Sequence, residues 1–233
     1  NPNRTVLEWL NARQDFRGRV AAFASWDVFP YILNEERARF PVNAGFEPSS
    51  LTNERDIPLL NALQKEIPSP WDAVRLDAFT HRYAKTWLSV RKPRVLLIAY
   101  GETDDFAHDG WYDAYARAAH RTDRFIADLW AWVQADRDYR DRTTLIITTD
   151  HGRGRTLADW RHHGPASAEL PTTRPGDGET WLAILGPDTP PRNPDKAGEP
   201  LSAAMVPATI AEALGLEYED SHPELEAPGP VPG

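Results

Sequence analysis

The chain has 233 residues, 41% of them hydrophobic, with nine Trp, no Cys and a formal net charge of -9 at pH 7. That length and apolar content support one sizeable core in a single domain and exclude a chain disordered throughout. The negative charge argues against duplex nucleic acid or an anionic membrane as main partner, and the lack of Cys removes disulfides and thiolate metal ligands.

Residues 5–13 (TVLEWLNAR) read as a short amphipathic helix, with Thr5 and Glu8 resembling a capping box. Residues 20–26 (VAAFASW) read as a strand. Residues 27–50 contain Pro30, Pro41, Gly45 and Pro48 and are expected to be irregular, a lid or surface excursion. Residues 53–66 suit a helix interrupted near Pro58. Residues 69–91 suit a longer one, with Trp71, Val74, Phe79, Tyr83 and Trp87 as its core stripe. Pro93 stops it. Val95, Leu96, Leu97, Ile98 and Ala99 then form an unbroken apolar run, the pattern of a strand covered on both faces.

Residues 111–135 contain no Pro or Gly and give the clearest helix, with Arg117, Arg121 and Arg124 on its wet side. A charged turn (136–142) leads to a β-rich strand, 143–149 (TTLIITT). The strand–helix–strand order predicts a right-handed parallel crossover. Residues 153–179 are loop-like, 180–185 (TWLAIL) form another strand, and 205–214 form a helix ended by Gly215. The tail 223–233 is expected to lie loosely on the surface. No stretch reaches about 18 apolar residues, the length of a membrane-spanning helix. No signal peptide is visible. The chain opens at Asn1-Pro2-Asn3 without Met, so a processed or truncated product is expected.

Chemistry concentrates after two strands. Asp104 and His108 follow the first at a spacing of four. Asp150-His151-Gly152 follows the second directly, and Trp160-Arg161-His162-His163-Gly164 supplies further imidazole. Carboxylate and imidazole at strand ends suit zinc, manganese or iron at the carboxyl edge of a parallel sheet. Asp104 and His108 can share an ion if the chain between them turns. Adjacent Asp150 and His151 can do so only beyond the strand end, where Gly152 relaxes the backbone. Singly, each residue has an ordinary explanation: an Asp after a strand caps helices or forms turns, and a lone His is a surface or core residue. Asp105 is expected to cap the helix or to support the ligands from behind. His163, directly before Gly164, is preferred as the third imidazole, with His162 behind it or facing substrate. His81, His120 and His222 are given no functional role. Trp26, Phe29 and Tyr31 are candidates for lining a substrate pocket beyond a strand end.

Taken in order and spacing, Asp104-x-x-x-His108, Asp150-His151-Gly152 and His163-Gly164 resemble the alkaline phosphatase superfamily over residues 94–185. That group includes phosphatases, nucleotide pyrophosphatases/phosphodiesterases, phosphoglycerate mutases and sulfatases. The resemblance implies an α/β fold with a largely parallel sheet flanked by helices on both faces. It implies two divalent ions, zinc first, with manganese or another divalent ion as alternatives. One ion would take Asp104, His108 and His163. The other would take Asp150 and His151, together with an Asp and a Thr or Ser nucleophile from the family's first strand.

That strand and nucleophile are expected to precede residue 1, so the chain is read as the C-terminal portion of the family fold, incomplete at its N-terminus. Alone it is expected to be inactive and poorly stable. Ser25 follows a strand but stands too late, and Thr5 is a cap. The implied activity is hydrolysis of a small phosphorylated substrate, a monoester, phosphodiester or nucleotide pyrophosphate. A sulfated substrate is less favoured, and the mutase is disfavoured because there is no room for its inserted domain. Export to a periplasmic or extracellular location is favoured by the resemblance, and homo-oligomerisation is left open. Two alternatives stand beside it: a catalytically silent domain holding one metal, and a mononuclear hydrolase that activates water directly on its ion.

Overall fold

Val20–Ala24 (β1) is buried at every position. It lies between Val42–Ala44 (β2) and Val95–Ala99 (β3), and both pair with it in parallel in the order β2-β1-β3. A strand flanked on both edges and covered on both faces needs an uninterrupted apolar run, and VAAFA supplies it. A computed structural model of the chain describes residues 1–163, 178–191, 201–218 and 229–231. Gly164, the Pro- and Gly-bearing segment after it, His222 and most of the expected loose tail 223–233 lie outside the described residues. The chain divides into two compact units, Asn1–Ala127 and Asp128–Gly233.

In the first unit, Val6–Ala12 (α1) packs against β1 and is capped by Thr5, whose hydroxyl accepts from the Glu8 amide at 3.2 Å. The box is half formed. The Glu8 carboxylate turns instead to Arg37, which donates to it twice at 2.8 Å. The stretch expected to be irregular holds two helical turns, Phe29–Ile32 (α2) and Glu35–Ala38 (α3), and then β2. Three residues with Asn43 in the middle are too short to show a strand period.

Ile57–Glu66 (α4) carries Pro58 in its first turn and is not interrupted by it, because the missing N–H is not needed there. Asp77–Arg91 (α5) begins later than its apolar stripe predicts. Trp26 bridges Val74 and the Arg75 amide donates to the Ser25 carbonyl at 3.0 Å, so the chain stays extended up to Leu76. Trp71 and Val74 therefore precede the helix. Ala21, Phe23, Leu51, Ile57, Phe79, Tyr83 and Ala84 form the core between sheet, α4 and α5, with Leu96 and Ile98 packed on it. Burying a side chain of Phe79's size stabilises by about 1.5–3 kcal/mol. β3, expected to be the fully covered strand, is half-buried throughout; the central place belongs to β1. Glu102–His108 (α6) and Tyr112–Ala135 (α7) follow β3. The unit is an α/β arrangement, a parallel sheet with helices packed on it, as the resemblance implies.

In the second unit, Leu145–Thr148 (β4) pairs with Leu182–Leu185 (β5) in antiparallel register, Leu145 opposite Leu185 and Thr148 opposite Leu182. The strand predicted over 143–149 thus pairs antiparallel within its own unit. Val206–Ala213 (α8) follows a short 3-10 turn capped by Ser202. No helix among the described residues is long and apolar enough to cross a membrane.

Candidate metal centre

The parallel register sets Ala24 beside Ala99, so Ser25 and Tyr100 leave the sheet at the same carboxyl edge. There α6 begins, where a turn was expected. On a helix, residues four apart stand on one face. His108 Nε2 accordingly lies 3.4 Å from Asp104 Oδ2, with both side chains about 40% exposed. Asp105 sits inside the same helix, half-buried. Burial pushes its carboxyl up to about 6, with Asp109 adding to the rise and His108 opposing it.

What holds α6 is a buried polar network that the sequence reading missed. Asp77 Oδ1 accepts from Ser25 Oγ (2.6 Å) and from the Gly101 amide (2.8 Å). Asp77 Oδ2 accepts from the Glu102 amide (3.2 Å). Ser25 Oγ also lies 2.8 Å from Thr80 Oγ1, which accepts from Arg75 Nε at 2.7 Å. Glu102 is buried and forms an ion pair with Arg121, a residue assigned from sequence to the wet side of α7. A buried acid calls for a cation, but nothing in the sequence marks Glu102 as buried.

Burial, and then the neighbouring Glu102, push the Asp77 carboxyl up to about 7 against the opposing pull of its Ser25, Gly101 and Glu102 donors. A carboxyl raised in this way binds its proton more tightly in the folded state than in the unfolded chain. Its contribution to stability is therefore greatest below the ordinary carboxyl range and falls as pH rises from about 4 to about 7. The expected result is a side-chain carboxyl 13C titration for Asp77 centred near 7; a midpoint near 4 would refute the burial argument.

The far end of α6 is buttressed by aromatic rings. Phe106 meets Trp71 edge-on at 4.7 Å and stacks with Trp111 at 6.0 Å. Trp71 Nε1 donates to Asp109 Oδ2 at 3.0 Å.

The second unit carries the other imidazoles. Beyond β4, Asp150 is exposed, its Oδ1 accepting from the His151 amide at 3.1 Å and lying 3.6 Å from His151 Nε2. His151 Nδ1 lies 2.9 Å from the Gly152 carbonyl. A carbonyl only accepts, so Nδ1 is the donor in this contact. The His163 ring stacks on His151 at 3.5 Å and 11°, and the two rings offer nitrogens within 4.8 Å of each other.

The intervening loop closes on itself to place them. Thr156 donates twice to Asp159 Oδ1, at 2.6 and 2.7 Å, and the Gly154 amide donates to the His162 carbonyl at 3.4 Å. Gly154 is required there, because a Cβ would come within 2.6 Å of Asp159. His162 itself is exposed.

Of the proposed pocket aromatics, Trp26 and Tyr31 are exposed and Phe29 is half-buried. His81 is buried, stacked on Phe125 at 4.3 Å with Nδ1 2.9 Å from the Tyr100 hydroxyl, and His120 is exposed on α7. The Ser25 hydroxyl is engaged in the Asp77 network.

The donor set, carboxylate and imidazole without thiolate, fits zinc or manganese. The family model described as type I phosphodiesterase / nucleotide pyrophosphatase matches residues 6–173. No curated protein and no solved structure matches the chain.

Proposed function

Because the chain belongs to the type I phosphodiesterase / nucleotide pyrophosphatase family of the alkaline phosphatase superfamily, we propose that it hydrolyses small phosphate esters, phosphomonoester or phosphodiester and nucleotide pyrophosphate, at a two-metal centre. Asp104, His108 and His163 hold one ion, and Asp150 and His151 contribute to the other. All five lie within the matched span. The observation that carries this reading is the pairing of Asp104 with His108 on one face of α6, at the carboxyl edge of the parallel sheet. When bound, a divalent pair polarises the phosphoryl group and stabilises the entering and leaving oxygens.

The residues of the chain prepare for this. The contact of His151 Nδ1 with the Gly152 carbonyl fixes the ring, with Nε2 as the nitrogen that would face a cation. Asp105 and His162 support the ligands or face the substrate. Trp26, Phe29 and Tyr31 offer apolar surface to the substrate's organic part. No residue is assigned as the hydroxyl nucleophile, so metal binding, not turnover, is the direct test.

After extensive dialysis, elemental mass spectrometry is expected to find about one to two equivalents of divalent metal per chain. His108→Ala and His163→Ala are each expected to lower that content. A wild-type chain that retains no metal, or variants that retain as much as wild type, would reject the ligand set.

A further inference from the structure

α6 has no cap of its own. Its N-cap is Gly101, which has no side chain to accept from the first amides, and a helix of seven residues does not sustain itself. The missing acceptors come from the start of another helix. Asp77, the first residue of α5, takes the Gly101 and Glu102 amides on its two carboxylate oxygens at 2.8 and 3.2 Å. Glu102, the first residue of α6, returns the bond, its Oε1 accepting from the Asp77 amide at 2.9 Å.

Each helix thus begins on the other's carboxylate. Ser25 ties Asp77 to the end of β1, and Arg121 takes the remaining oxygen of Glu102. The Asp104 amide donates to the Gly101 carbonyl at 3.0 Å, so the ligand pair is built directly on the residue that Asp77 holds.

We propose that Asp77 is the positioning residue of the metal half-site on α6, acting through the reciprocal cap without touching ion or substrate. The inference rests on the metal reading above. Metal–ligand distances tolerate only about 0.2 Å of error, less than the fraying of an uncapped short helix. Without Asp77 the Gly101 and Glu102 amides lose their acceptors, and the turn carrying Asp104 loosens relative to the sheet.

The test compares the 233-residue wild type with Asp77→Ala, Asp77→Asn and a core control, Ile57→Ala, a buried α4 residue not among the hydrogen-bonding groups of the cap. Zn2+ affinity is measured by competition calorimetry, ligand geometry by the visible spectrum of bound Co2+, and stability by thermal melting. Asp77→Ala is expected to weaken Zn2+ binding by roughly 10–100-fold and to alter the Co2+ spectrum. Asp77→Asn, which keeps one acceptor oxygen, falls between it and wild type. Ile57→Ala lowers the melting temperature and leaves affinity and spectrum unchanged.

Asp77 variants that bind Zn2+ as wild type does, or that lose no more affinity than Ile57→Ala, overturn the proposal. If Asp77→Ala does not fold, Asp77→Asn decides by the same comparison. A wild type that binds no Zn2+ overturns the metal reading and this inference with it. Wild-type binding with unaltered variants overturns this inference alone.

Discussion

In a preparation that turns over a phosphate diester, His108→Ala lowers kcat/KM by roughly a thousandfold or more, and Asp150→Ala does the same. Both follow from the proposed two-metal centre, whose ions would act together on one displacement, each supplying several kcal/mol of charge stabilisation, and about 4 kcal/mol is a factor of a thousand. The two substitutions probe different parts of the chain. His108 stands on α6 with its imidazole 3.4 Å from Asp104, and Asp150 stands beyond β4 beside His151. Steady-state kinetics on a chromogenic diester is the measurement. If either variant keeps activity within about tenfold of wild type, its residue is not a ligand of a working ion. A silent His108→Ala beside an inactive Asp150→Ala would reduce the centre to a single ion.

Arg75→Ala is expected to destabilise the first unit by about 3–5 kcal/mol, a large share of the roughly 5–15 kcal/mol that holds a typical domain together. Arg75 is wholly buried. Its guanidinium donates to Thr80 Oγ1 and Asn43 Oδ1, both at 2.7 Å, to the Asn43 carbonyl at 3.2 Å and to the Glu47 carbonyl at 3.3 Å, and it lies 5.2 Å over the Tyr83 ring. Burial draws its pKa down to about 10, against the upward pull of Tyr83, Glu47 and Asp77, so it remains charged at neutral pH. Truncation opens a cavity and leaves buried acceptors on β2 and α5 without donors. Lys at this position cannot reproduce the planar fork and recovers little. Urea denaturation gives the answer; a loss under about 1 kcal/mol for Arg75→Ala would mean that neighbouring groups re-pair or that water enters.

The contrast between Arg75 and the proposed metal ligands shows what a sequence carries. Asp104, His108, Asp150, His151 and His163 could be proposed as ligands because rare side chains cluster just after apolar runs, and β1, β3 and α7 were legible because their runs are long and unbroken. Asp77, Glu102 and Arg121 were not. Each is an ordinary charged residue near a helix start or on a helix face, and Glu102 lies 25 positions from one partner and 19 from the other. Local periodicity has no access to such pairs. Strand direction was hidden for the same reason: TTLIITT looks alike whether its partner runs parallel or antiparallel, and pairing with β5 decides it. The stacking of His151 on His163 likewise depends on Gly154 yielding space to Asp159, a steric fact that no spacing rule contains.

The cross-capping of α5 and α6 also bears on transplantation. A designer who lifted Glu102–His108 onto another scaffold to borrow its carboxylate–imidazole pair would carry over a helix that starts on nothing. The smallest portable module is discontinuous: the end of β1 with Ser25, the first turn of α5 with Asp77 and Thr80, α6 itself, and the Arg121 side chain that neutralises Glu102. In this protein α6 cannot be separated from the frame it grows out of.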